Sequence, residues 1–182
     1  LAAAFLAGRL GFVAPPEYVG RLGLGGAVIA SGQIEEVRIV HPADALYVCI
    51  QDDAKIAIID MRAKHVVRTI DLTKLGFPAT AKPHYVVVEP DASHWYVSLI
   101  GANQVVKFDL QDRIVGRFEM ETPGMLALAP PDRLVISRSM SAVNPPKRIA
   151  VVRRTTMQGD ELDVLFPRPH PVATTGAYAY TG

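Results

Sequence analysis

Two histidines are the residues of this chain best placed to do chemistry. His84 and His170 each follow a proline, and each heads a segment that reads as a strand. A neutral imidazole can ligate a transition metal or a haem iron, and it titrates close enough to neutrality to serve as acid or base. The matching slot between them holds Gly124, with Met125 beside it. The plainer alternative gives each ring a neighbouring backbone carbonyl to bond. Neither motif contains a carboxylate, and both readings stay open on sequence alone.

The other polar candidates are weaker. Arg138, Lys147 and Arg148, with Arg153 and Arg154 close behind, form a basic cluster that could contact an anion. Arginines alternating along a strand also mark a solvated face. Asp60 and Asp109 end apolar runs, where a carboxylate commonly bonds the backbone of the next turn. His41, His65 and His94 sit in turns or at a strand start and read as solvated. Cys49, the single cysteine, rules out an internal disulfide. With no basic neighbour to activate it, Cys49 reads as a small buried residue.

The elements that must position these side chains come from a degenerate repeat. Asp44-Ala-Leu-Tyr-Val-Cys49, Ser93-His-Trp-Tyr-Val-Ser98 and Asp132-Arg-Leu-Val-Ile-Ser137 superimpose, and a fourth copy begins near Tyr178. The small anchors Cys49, Ser98, Ser137 and Thr181 lie 49, 39 and 44 residues apart. In the clearest unit, the apolar run 85–88 leads to the turn Glu89-Pro-Asp91, then to strands near 95–98, 105–108 and 113–118. Several short strands per unit at a period of about 40–45 residues predict an all-β fold, a β-propeller of four-stranded blades. About three and a half blades are present. A propeller closes as a ring of roughly 4–8 blades. The chain therefore reads as part of a longer ring, its first half, with an obligate assembly of two such halves as the other reading. His84 and His170 head the innermost strands, so two imidazoles would face one central funnel. The connection 71–82 is the longest between blades and reads as a contact surface.

Residues 1–33 do not fit the repeat and form a leader ahead of the propeller at 34–182. Their apolar start reads as the tail of a secretory signal, or equally as a short helix or an unstructured leader. It is too short to span a membrane. With 19 basic and 18 acidic side chains, nothing points to nucleic acid or to an anionic membrane.

Tyr47-Val-Cys-Ile-Gln-Asp-Asp53 leading to Asp60, and Tyr96-Val-Ser-Leu-Ile-Gly-Ala-Asn-Gln104 leading to Asp109, resemble the YVTN-type β-propeller repeat. The Pro83-His84 opening and the Pro90-Asp91 turn match that family's usual elements too. Cys49 and Ser98 depart from its Thr or Ala, Ala92 from its turn glycine, and Arg153 from its strand-end Asp. The resemblance implies a seven-bladed ring in the periplasm or outside the cell, but no single activity. Similar propellers include surface-layer and binding proteins, lactonases, nitrous-oxide reductase, the haem d1 domain of nitrite reductase and quinoprotein amine dehydrogenases. The expectation is a non-catalytic binding or scaffold propeller without a cofactor, presenting loops to a protein or small-molecule ligand. The alternative is a redox or hydrolytic propeller with a transition metal, a haem or a lactone at the funnel.

Overall fold

The computed structural model describes residues 44–139, 148–163, 172–175 and 178–181. All of them belong to the compact unit Arg38–Gly182. The leader, His41 and the first strand expected at 36–40 lie outside the described residues. Among the described residues, thirteen strands form sheets of three, four, four and two, every pairing antiparallel. β1 (Ala45–Ile50), β2 (Lys55–Asp60) and β3 (His65–Asp71) make the first sheet. β4 (Pro83–Val88), β5 (His94–Leu99), β6 (Gln104–Asp109) and β7 (Ile114–Glu119) make the second. β8 (Pro123–Ala129), β9 (Arg133–Arg138), β10 (Arg148–Arg153) and β11 (Gln158–Asp163) make the third. β12 (Val172–Thr175) and β13 (Tyr178–Thr181) open a fourth. Within each sheet the strands follow chain order, and β4 and β8 lie next to each other and to β1 and β12. This is the all-β architecture of propeller blades, with β4 and β8 as inner strands.

The turns explain why the repeat carries these residues. After β1 and β5 the chain makes a 3-10 turn, Gln51–Asp53 or Ile100–Ala102, and leaves it through a left-handed residue, Ala54 or Asn103. The carbonyl of that residue accepts the backbone N–H of Leu72 or Met120, tying the end of the outer strand back to the turn. Asp60 accepts from the N–H groups of Arg62 and Ala63, and Asp109 from those of Gln111 and Arg113, as their places at strand ends predicted. Arg153 fills that slot in the third blade. There the acceptor comes instead from Asp132 in the neighbouring turn, which takes the N–H and hydroxyl of Thr155.

Two apolar clusters fill the spaces between blades. Trp95, Phe108, Ile56, Ile58, Leu72 and Phe77 lie in the first, and Tyr96, Val105, Leu126, Leu134, Ile136 and Val152 in the second. Because strand side chains alternate, adjacent residues Trp95 and Tyr96 serve opposite faces of one blade. Trp95 is fully buried and stacks on Phe108 with ring centroids 4.2 Å apart. The connection 71–82 is divided: Leu72, Phe77 and Ala81 are buried in the first cluster. Thr73, Lys74, Gly76, Pro78, Ala79, Thr80 and Lys82 are exposed.

Candidate functional site

At the start of β4 and of β8 the ladder takes in an extra residue. Pro83 pairs with Leu99 and Tyr85 with Ser98, so His84 is the surplus residue of a β-bulge. In the next blade Pro123 pairs with Arg138 and Leu126 with Ile136, so Gly124 and Met125 together face Ser137. A bulge breaks the alternation of side chains and leaves a backbone group without its ladder partner. The serine anchors of the repeat supply that partner. Ser98 Oγ accepts from the Tyr85 N–H at 3.2 Å, and Ser137 Oγ accepts from the Met125 N–H at 3.0 Å. Two serines thus hold two matched bulges on the face where the inner strands begin, here termed the proximal face.

His84 is half-buried there, and its Nδ1 lies 3.1 Å from the amide nitrogen of Gln51, in the 3-10 turn of the preceding blade. With Gln51 as donor, Nδ1 is the acceptor and Nε2 carries the proton. The partner is a side chain from a neighbouring blade. Cys49, in the anchor slot of the first blade, is half-buried, and burial pushes its thiol up to about 11. That agrees with an unreactive anchor residue. His170 and Lys147 lie outside the described residues. Arg148 opens β10 with Nη1 3.7 Å from a carboxylate oxygen of Glu161.

Arg138 does not lie on a wet face, as alternation had suggested. It ends β9 at 2% exposure, ion-paired with Glu121, whose side chain is 61% exposed. The matching positions in the other blades are Ile50 and Leu99. Nearby, an open cleft of about 330 Å³ is lined by Asn103, Gln104, Glu119, Glu121 and Glu161. Among the described residues, no cluster of His, Cys, Asp and Glu has the makings of a metal site.

The opposite, distal face holds a polar network that sequence reasoning missed. Glu89 accepts from the hydroxyl of Tyr96 at 2.7 Å and pairs with Arg154 of the next blade. Lys107, buried between the two blades, donates from Nζ to the Arg154 carbonyl at 2.8 Å. Burial pushes the Lys107 ammonium below its usual range, with Glu89 and Asp132 pulling the other way. Burial, then the hydrogen bond to Glu89, pushes the Tyr96 phenol up. The preceding blade pair carries a related tie: Arg68 Nε lies 2.7 Å from Asp112 Oδ2. The one sequence signal was a lysine amid the apolar residues of β6. The exposed His65 and its contact with the Ala63 carbonyl match expectation, whereas His94 opens β5 half-buried beside the Ser93 hydroxyl.

No protein-family model matches the chain, and no curated protein matches its sequence. Solved structures do share its fold. A streptogramin B lyase matches at TM-score 0.61 and 11% identity, over 79% of this chain and 46% of its own. Hydrazine synthase of Kuenenia stuttgartiensis matches at 0.60 and 16%, over 78% and 42%. The dihydro-haem d1 dehydrogenase NirN, in complex with DHE, matches at 0.53 and 14%, over 76% and 29%. The chain spans less than half the length of each. At such identities the likeness establishes a propeller fold and nothing of activity. Among the described residues, no helix is long and apolar enough to cross a membrane.

Proposed function

We propose that these blades belong to an extracytoplasmic binding propeller of the YVTN-repeat type, a non-catalytic scaffold that takes a protein or small-molecule ligand on its proximal face. The observation that carries this reading is the pair of matched bulges at His84 and at Gly124–Met125. Each re-aims an inner-strand residue, and each has its own serine clamp. The charged groups of the distal end serve the fold: Asp60 and Asp109 close turns, and Glu89 and Arg154 tie blades. The left-handed turn residues Ala54 and Asn103 and the strand-end aspartates support the YVTN assignment.

A second reading, a redox or hydrolytic propeller with a metal, a haem or a lactone at the funnel, draws on one observation. His84, the bulged residue, sits on an inner strand with its tautomer set by Gln51. Hydrogen exchange tests where binding occurs. The full chain is isolated with whatever it carries and compared with the same protein stripped by unfolding and refolding. The binding reading predicts extra protection around residues 51–53, 83–85, 100–104 and 122–125. Protection confined to the distal turns at 89–92 and 154–157, or no difference at all, would overturn it.

A further inference from the structure

We infer that the Arg138 corner of the proximal face is a recognition point for a carboxylate group of the ligand; this rests on the binding reading above. The repeat itself marks the position. Blades one and two place Ile50 and Leu99 at the slot where blade three places Arg138. A guanidinium so far removed from solvent calls for several acceptors, because an uncompensated buried charge is costly. Among the described residues Arg138 has one charged partner, Glu121, and its buried Nε makes no well-aligned hydrogen bond. A second donor in the same corner is also orphaned. Among the described residues Thr122 Oγ1 is buried without a partner, and the Thr122 carbonyl accepts from the N–H of Ser139, the residue after Arg138.

The backbone at Thr122 is held at φ +44°, a region that β-branched residues avoid. Strain of this kind persists where the surroundings fix it, and it collects at ligand contacts. Its N–H is anchored to Asn103 Oδ1 of the preceding blade at 2.9 Å. Among the described residues the corner therefore holds an arginine fork whose Nε lacks a well-aligned hydrogen bond, an unpartnered hydroxyl and a carboxylate from the chain itself. Arginine's planar fork matches a carboxylate through two parallel N–H donors. Glu121, with most of its side chain in solvent, pairs with that fork at Nη2. A ligand carboxylate that takes Nε and Nη2 together displaces it, and the freed Glu121 rejoins solvent.

The test uses the full chain, succinate and inorganic phosphate as probes, and titration calorimetry. Wild type binds succinate. Glu121→Gln, which removes the competing carboxylate, binds it at least about fivefold more tightly, because the buried guanidinium then lacks its counter-charge. Arg138→Leu, which restores the residue of blade two, binds at least about tenfold more weakly, and its unfolding temperature stays level or rises. The inference is overturned if Arg138→Leu binds as wild type does, if Glu121→Gln binds no more tightly, or if wild type ignores succinate. Binding of phosphate in preference to succinate overturns the carboxylate class. A markedly lowered unfolding temperature in Arg138→Leu makes the arginine structural, which also overturns it. A proximal hydrogen-exchange footprint without any succinate response would sink this inference alone and leave the binding reading standing.

Discussion

At Ser98 a hydroxyl takes over the work of a ladder partner, accepting the Tyr85 N–H that the His84 bulge leaves free. Ser98→Ala should therefore orphan a half-buried donor and cost about 1–3 kcal/mol, read as a lower urea midpoint at unchanged m. An unmoved midpoint would mean that water replaces the hydroxyl. Cys49 fills the same slot with a sulfur, and its thiol is pushed by burial from 9.0 up to about 11. A thiol raised in the folded state favours folding while it stays protonated. Its contribution is present below pH 9 and is lost between about pH 9 and about pH 11, as the unfolded chain ionises first. Cys49→Ser should flatten that part of the stability curve, and thiol labelling of the native protein at pH 8 should be far slower than that of the unfolded chain.

The elements position the site through backbone contacts that tolerate no added atoms. Gly101, in the turn after β5, donates its N–H to the Ala81 carbonyl and so pins the segment that delivers Pro83 and His84. A Cβ on Gly101 would lie 1.7 Å from the Thr80 carbonyl oxygen, backbone that cannot swing aside. Gly101→Ala should cost about 3 kcal/mol, near the upper end of overpacking, by chemical denaturation. Gly76→Ala meets open space and strains only its φ of +87°, so about 1 kcal/mol is expected. Equal costs would contradict the account. The strands were legible because a period of two and turn residues such as Pro90-Asp91 are local signals. The serine anchors were legible as a pattern but not as bulge clamps, because a bulge shows only in the register between strands. The burial of Arg138 was not legible for a related reason: alternation tells which face a residue takes, not whether another blade covers that face. Gln51 as the partner of His84 arises between blades, 33 residues apart, where local pattern has no reach.

Across the whole molecule, neighbouring blades are joined by apolar clusters and by charged ties on the distal face. Arg154 pairs with Glu89 and donates from Nη2 to the Pro131 carbonyl at 2.7 Å. Arg154→Ala removes the guanidinium paired with the largely buried Glu89 and should cost about 3 kcal/mol. The double variant Glu89→Gln with Arg154→Met should lose less, since both charges of the pair go together and the introduced amide oxygen would still accept from Tyr96. A double variant less stable than Arg154→Ala would show that the pair contributes more than mutual neutralisation. The proposed function assigns recognition to the proximal face with its clamped bulges. The most direct measurement of that claim is the absorption spectrum and elemental analysis of the protein purified from its native source, beside the His84→Ala and His170→Ala double variant. A binding propeller gives spectra without a haem band and no stoichiometric copper, iron or zinc in either protein. A haem band or a stoichiometric metal that vanishes in the double variant would contradict it and make His84, His170 or both its ligands.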